Sequence, residues 1–289
     1  MLFLKLTICV QMTLQWLIST YGNGIRKVEN LLLFPEYGLS YLISHQDPKA
    51  ECTELPDNLH RDDVKVIHQK ETGLSRNRNN ALRHASSDIL VVADDDIGLN
   101  PAYPHQILKA FKKYHNIDVA CFQIRTLPNQ PVYKKYSTRA IGLTRMSQLK
   151  AVSSIEIAFR RKSIQNNHIW FDERFGLGTE ANSGEEFLFL AECLRKGLKI
   201  MFIPVFIVEH PFESSAKSRP YYEDQRLFST GAQNYVLYRD FAYLRNLFAL
   251  LRRLPDLKKA GISARHFLQM KNAGCRYIRL RDKSVSFSS

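Results

Sequence analysis

Three consecutive aspartates, Asp94-Asp95-Asp96, close the apolar run Ile89-Leu90-Val91-Val92-Ala93. Like charges in a row repel, so the cluster is stable only where a cation or hydrogen-bond donors offset them. Carboxylate oxygens suit hard divalent cations such as Mg²⁺ or Mn²⁺, which keep coordination positions open for water and phosphate oxygens. The triplet therefore reads as a cation site facing a bound diphosphate; a solvated acidic turn ahead of Pro101 is the plainer alternative. Upstream, Gly73-Leu74-Ser75-Arg76-Asn77-Arg78-Asn79-Asn80 sets two arginines and several amides at the start of a helical pattern. Free N–H groups and the helix dipole favour an anion at such a start, and Arg78 is a candidate partner for phosphate.

Strand-like runs at Leu14–Tyr21, Leu39–Ser44, Val64–His68, Ile89–Ala93 and Val119–Ile124 alternate with helical patterns at Ile25–Leu33, Ser75–His84 and Tyr103–Tyr114. Ser75 is the expected N-cap of the second helix. This alternation predicts an α/β fold with a mainly parallel twisted sheet flanked by helices, in which ligands gather at the carboxyl ends of strands. Thr20, Tyr21, Gln46, Asp47 and Asp94 to Asp96 would then surround one crevice. From Pro128 to Lys150 periodicity fades and Lys134, Lys135, Arg139 and Arg145 gather, as in a long surface loop. Beyond it come a strand at Ser154–Arg160, a helix at Glu185–Lys196 and a strand at Ile200–Val208 that runs into Glu209-His210-Pro211. A final helix at Leu237–Leu254 aligns Phe241, Leu244, Phe248, Leu251 and Leu254 on one stripe, away from Arg245, Arg252 and Arg253. The stripe is expected to pack on the core; a helix lying on a membrane surface is the functional alternative.

The 289 residues suffice for one large domain, and 45% hydrophobic with 24% charged residues excludes a disordered chain. We read residues 1–215 as the main domain and 216–289 as a helical, basic C-terminal extension. The net charge of +13 is concentrated there, ten Lys/Arg facing two Asp from Leu251 onward. Such a tail is attracted to anionic lipid, nucleic acid or acidic glycans. Nucleic acid is not expected, because no binding motif accompanies the charge and an acidic triplet in the crevice opposes phosphate unless a metal intervenes. Cys9, Cys52, Cys121, Cys193 and Cys275 show no metal-ligand or redox spacing, which fits a reducing compartment. The apolar start Met1 to Thr20 is interrupted by Lys5, Gln11 and Gln15 and reads as a lead into the first strand, with a membrane anchor as the alternative.

The stretch Gly73 to Asn79, followed by Ala85-Ser86-Ser87-Asp88-Ile89-Leu90-Val91-Val92-Ala93-Asp94-Asp95-Asp96, resembles family 2 glycosyltransferases with the GT-A fold. Phe171-Asp172-Glu173-Arg174-Phe175-Gly176-Leu177-Gly178 and Ser183-Gly184-Glu185-Glu186 resemble that family's acceptor-side segment. The resemblance implies that Asp94 contacts the nucleoside, that Asp96 coordinates Mn²⁺ or Mg²⁺ on the diphosphate, and that Arg78 lies near the nucleotide. It implies Glu186 as general base, with Glu185 as alternate, and a histidine near the metal, matched by His210. Glu185 could raise the pKa of Glu186 by like-charge repulsion. Thr20, Tyr21, Gln46 and Asp95 complete the nucleotide-sugar side. Arg219, Tyr221 and Tyr222 would form a flap over the donor.

This chain departs from the family's Pro-Thr-Tyr-Asn at Ser19-Thr20-Tyr21-Gly22-Asn23, and from its paired aspartates at Ser44-His45-Gln46-Asp47. The base pocket is therefore altered, and a uridine diphosphate sugar is the default donor. The expectation is an inverting transfer from a nucleotide-diphosphate sugar to a saccharide or lipid-linked saccharide in surface glycan biosynthesis. The enzyme would be cytoplasmic, peripheral at the inner face of the membrane through its basic tail. A catalytically inactive donor-binding relative and a nucleic-acid-binding protein are the rival readings. A nucleotidyltransferase would show an early Gly-rich loop, and Gly22-Asn23-Gly24 is too short for one.

Overall fold

Apolar and β-branched runs bounded by Gly, Pro and Asp form the strands, and the computed structural model describes residues 12–52, 54–213, 220 and 222–286. The strands are β1 (Leu14–Tyr21), β2 (Leu39–Gln46), β3 (Val64–Gln69), β4 (Ile89–Asp94), β5 (Val119–Arg125), β6 (Ile141–Gly142), β7 (Ile157–Arg160) and β8 (Ile200–Glu209). They form one eight-stranded sheet in the order β3-β2-β1-β4-β7-β5-β8-β6. β1 pairs in parallel with both β2 and β4, and β5 pairs in parallel with β8. Only β7 and the short β6 run antiparallel to their neighbours. Because β7 sits between β4 and β5, those two point the same way and their carboxyl ends share one edge. The chain leaves β1 toward β2 and β3, then returns to β4 on its other side, which opens a crevice at the switch in strand order.

The principal helices are α1 (Leu74–His84), α2 (Ala102–Lys113), α3 (Glu185–Arg195), α4 (Asp224–Tyr238), α5 (Phe241–Lys259) and α6 (Ala264–Ser286). Side chains alternate across the strands as period 2 demands. Leu17, Leu90 and Val92 face a core shared with α1 and α3. Trp16, Ile18, Val91 and Ala93 face the other, closed by Ile107 and Phe111 of α2.

Several expected elements take a different form. The helix expected at Ile25–Leu33 is a series of short turns, Gly22–Gly24, Ile25–Val28 and Glu29–Leu31. The strand expected from Ser154 begins at Ile157, after a 3₁₀ turn in which Ser153 and Glu156 cap each other. The surface loop after Pro128 is tied down where Lys134 Nζ and the Tyr136 hydroxyl donate to the buried Glu156 carboxylate. The final helix expected at Leu237–Leu254 is divided at Arg239, whose φ of 51° is left-handed and cannot continue a helix, between the end of α4 and α5, and a further helix, α6, follows it. The stripe on α5 does not pack on the core: Phe241, Leu244, Phe248, Leu251 and Leu254 are exposed, and the opposite face, with Ala242, Asn246, Leu250 and Leu257, is the buried one.

The C-terminal helices share the sheet's core, since Ala232, Tyr235, Ala242, Cys275 and Ile278 join the cluster that holds Leu17 and Val92. α4 and α6 approach so closely that a Cβ on Gly231 would lie 1.9 Å from the Lys271 carbonyl oxygen, and one on Gly274 would lie 2.0 Å from that of Phe228. Buried amides lock the third helix to this pair: Asn234 Nδ2 donates to Asn246 Oδ1 at 2.8 Å, and Asn246 Nδ2 to Asn272 Oδ1 at 3.0 Å. Gly231→Ala must force the two helices apart. Overpacking of this kind costs about 1–3 kcal/mol, and each kcal/mol lowers Tm by about 2–4 °C at this size. Thermal denaturation checks this, and an unchanged Tm would contradict the close crossing.

Candidate active site

The carboxyl ends of β1, β2, β4 and β8 bring the sequence-derived residues together. Ser19 of β1 pairs with Asp94 of β4, so Thr20 and Tyr21 emerge beside the aspartate turn, with Gln46 opposite Tyr21 on β2. His210 reaches the same edge because Gly98 and Glu209 exchange backbone hydrogen bonds at 2.8 Å. Two adjoining cavities result. One, of ≈ 640 Å³, is lined by Thr20, Tyr21, Gln46, Gly73, Asn77 and Asp95. The other, of ≈ 260 Å³, is lined by Tyr133, Ser154, Asn182, Glu186, His210 and Arg226. Leu74, Asp94, Asp96 and Leu177 border both.

Arg78 is the hinge of this arrangement. It is only 3% exposed, yet its Nη1 donates to Glu185 Oε1 at 2.8 Å and its Nη2 to Asp94 Oδ1 at 3.0 Å, while its guanidinium lies over the Phe171 ring. Burial alone would pull its pKa down; Asp94 and Glu185 outweigh that and raise it, so it stays charged. Arg78 is therefore a positioning residue rather than the free phosphate-facing cation expected from sequence. Glu185 is likewise committed to Arg78, which leaves Glu186 as the acid of the pair that can turn to the cavity.

The rest of the Gly73 segment zips α1 to the loop before α3. Ser75 Oγ donates to the Phe175 carbonyl at 2.7 Å rather than capping the helix, whose N-cap is Gly73 with no side-chain bond. Leu74 N–H donates to Leu177 O at 2.9 Å, and Asn79 exchanges two bonds of 2.9 Å with the Phe171 backbone. Gly73 has φ +117° and touches Gly178, where a Cβ would meet the Gly73 Cα at 3.2 Å. Asn77 Nδ2 donates to Thr20 O at 3.1 Å, and Gln46 Nε2 donates to the Glu71 and Gly73 carbonyls at 2.7 and 3.1 Å. The amides of this segment thus build the wall of the larger cavity.

The three aspartates have separate environments. Asp94 is ion-paired to Arg78 and accepts from Ser154 Oγ at 3.5 Å. Asp95 accepts a 2.6 Å bond from Thr20 Oγ1, and burial raises its pKa against that bond. A Cβ on Gly24 would lie 2.2 Å from its Oδ2, so Gly24 makes room for this carboxylate. Asp96 is exposed, 3.6 Å from His210 Nε2, a separation just beyond hydrogen-bond range. The His210 contact lowers the Asp96 pKa and Asp96 raises that of His210. His210 Nδ1 faces the Pro211 carbonyl oxygen at 2.7 Å, the arrangement that points the other ring nitrogen at a metal. Asp96 and His210 thus have the donor types and the spacing to share a divalent cation.

Glu186 stands at the start of α3, where Gly184 takes the left-handed φ of 94° that turns the chain into the helix. It is half-buried, and burial followed by the neighbouring Glu185 charge pushes its pKa up to about 8, with Arg78 opposing. A carboxyl poised near neutrality beside a cavity is suited to accept a proton.

Ser154, Tyr133, Asn182 and Arg226 were not singled out by sequence reasoning; the Ser153/Glu156 capping pair was the local signal for the first. Arg219 and Tyr221 lie outside the described residues, and Tyr222 packs edge-on against Phe267 of α6. The fold also gathers His45, Asp47 and Cys52, whose ligand atoms lie within 4.8 Å of one another, a grouping their spacing did not suggest. Hydrogen bonds account for these atoms: His45 with Gly22 O and His68, Asp47 with the Glu51 and Cys52 N–H groups, and Cys52 with Asn23.

The mixed sheet with its acidic strand end and C-terminal helices is a GT-A-type glycosyltransferase fold. Residues 44–175 match the family model Glycosyl transferase family 2. Glu186 and His210 lie beyond the matched stretch. The chain matches no curated protein in sequence. Among solved structures it is similar to S. aureus TarS 1-349, at a TM-score of 0.57 and 15% identity, covering 93% of this chain and 92% of that one. For S. aureus TarS 1-349 in complex with UDP-GlcNAc the values are 0.54, 16%, 79% and 68%. Against another TarS structure the chain spans 44% of its length, with a TM-score of 0.57 at 16% identity over 84% of this chain.

Two outcomes follow from this geometry. Arg78→Met leaves the buried Glu185 and the half-buried Asp94 without their cation and should cost about 3–5 kcal/mol in urea denaturation; a loss below about 1 kcal/mol would contradict the bridging role. Glu186 is held near about 8 in the folded chain against an ordinary 4.5. Its contribution to stability is therefore fully present below the unfolded value and is lost as pH rises through the folded one. Glu186→Gln removes this titration, so the Tm gain of the variant should be absent at pH 4.5 and greatest above pH 8. A gain that is constant with pH would refute the raised pKa.

Proposed function

We propose that the chain transfers a sugar from a nucleotide-diphosphate sugar to a hydroxyl of a saccharide or lipid-linked saccharide, with inversion at the anomeric carbon. The observation that carries this reading is Glu186, a carboxyl raised toward neutrality, set in a cavity that adjoins the wider nucleotide-sized one across Leu74 and Leu177. The acceptor oxygen forms its bond to the anomeric carbon as the bond to the diphosphate oxygen breaks, and Glu186 takes the hydroxyl proton. A single displacement of this kind inverts the centre. The wider cavity takes the nucleoside between Thr20, Tyr21, Gln46 and Asn77. Asp96 and His210 would hold Mn²⁺ or Mg²⁺, which stabilises charge on the departing diphosphate when bound. Asp94, fixed by Arg78, faces both cavities.

UDP is the favoured nucleotide, supported by the UDP and UDP-GlcNAc complexes of the structurally similar TarS. A basic C-terminal segment supports a cytoplasmic enzyme that sits peripherally at the inner membrane face.

Glu186→Gln should lower kcat by about 10²–10⁴-fold while leaving the Mn²⁺-dependent thermal shift on UDP intact. Wild-type kcat/KM should rise with pH along an acid limb displaced above 4.5 toward about 8, because the base must be unprotonated. Full turnover in the variant would remove Glu186 from the chemistry. Asp96→Asn should abolish the Mn²⁺ dependence of the UDP shift, and a retained dependence would place the cation elsewhere.

A further inference from the structure

Helix α5 is apolar on two faces. Its inward face, with Leu250 and Leu257, is buried. On the outward face Phe241, Leu244, Leu247, Phe248, Leu251 and Leu254 are 43–75% exposed. At helical spacing these six fall within an arc of about 140°. A helix packed on one side ordinarily shows polar residues on the other, and a contiguous exposed apolar face marks a docking surface. One border of this arc is cationic: Arg245 and Arg252 lie along the same edge and Lys258 and Lys259 end the helix, against the lone acid Asp256 between Phe241 and Lys259. Behind it burial, and after it the charges of Arg245 and Arg253, hold Lys150 and Lys271 low, Lys271 at about 8. Among the described residues no helix is long and apolar enough to cross a membrane.

We propose that the outward face of α5 lies in the plane of an anionic lipid bilayer, with Phe241, Leu244, Phe248 and Leu251 in the acyl boundary and Arg245 and Arg252 at the lipid phosphates. An apolar arc with a cationic border is the pattern of an interfacial helix. A second copy fits less well, because each face offers only Asp256 to meet the other's four cations. The proposal deepens the peripheral location read above and rests on it, but not on the chemistry of the cleft.

The test is co-sedimentation of the full chain with vesicles of phosphatidylcholine alone and of phosphatidylcholine mixed with phosphatidylglycerol. Light scattering gives the oligomeric state, and a UDP thermal shift is recorded on the same samples. Wild type should bind the mixed vesicles. Phe248→Ser/Leu251→Ser should lower that partition by at least about tenfold with its melting temperature retained, since both side chains are exposed. Arg245→Gln/Arg252→Gln should weaken binding to the mixed vesicles and flatten its salt dependence. Phe248→Trp should show a blue-shifted emission on them. Binding by the serine pair equal to wild type would assign the attraction to tail charge alone and overturn the proposal. So would a wild-type dimer that the serine pair converts to monomer, with no vesicle binding. A chain that shifts with UDP but ignores vesicles overturns only this inference; one that binds vesicles but not UDP overturns only the transferase reading.

Discussion

The cleft depends on one buried guanidinium. Arg78 leaves α1 and ties the end of β4, through Asp94, to the start of α3, through Glu185. A buried ion pair adds little net stability, because desolvation cancels most of the attraction, but removing one partner leaves a charge that the interior cannot solvate. The bridge therefore acts mainly by fixing geometry. It sets the spacing between the acidic strand end and the helix that carries Glu186, and by occupying Glu185 it separates the roles of two adjacent glutamates. Among the described residues the Arg78 Nε–H finds no hydrogen-bond partner, the cost of placing both terminal nitrogens on carboxylates.

Around that bridge, short polar side chains do what a disulfide or metal would do in a smaller protein. Ser75, Asn77, Asn79 and Gln46 spend their hydrogen bonds on the Phe175, Thr20, Phe171 and Gly73 backbones. The loop from Phe171 to Gly184 has no regular structure of its own, so these bonds replace the ladder it lacks. Arg174 extends the support outward by pairing with Asp282 of α6. The C-terminal helices thus brace the loop from Phe171 to Gly184 as well as sharing the core.

Much of this was legible in the sequence for a simple reason. β1 begins and ends at the expected residues, and β2 to β5 differ from expectation by one or two at their ends, because buried parallel strands are continuous apolar runs punctuated by turn residues. The triplet and Arg78 stand out because their residue types are costly without a ligand or partner, whereas Glu186 and His210 were singled out through the family resemblance. What each charge pairs with was not legible. Arg78 reads as a phosphate ligand until the fold shows Asp94 and Glu185 on either side of it. The α5 stripe misled in the opposite sense: its period is that of a core face, and periodicity cannot tell which of two apolar faces is turned inward. Asn246, interrupting the inward face, is legible only once Asn234 and Asn272 are seen to meet it.

The central claim is that the triplet divides its labour, Asp96 with His210 for the cation and Asp94 held by Arg78 between the two cavities. The most direct measurement is a crystal structure of the chain with UDP and Mn²⁺, with anomalous difference data at the manganese edge. The account predicts one peak between Asp96 and His210 Nε2, the diphosphate on it and the uracil in the cavity lined by Thr20, Tyr21 and Gln46. A manganese peak beside His45, Asp47 and Cys52 instead, or UDP bound away from the aspartate turn, would contradict it.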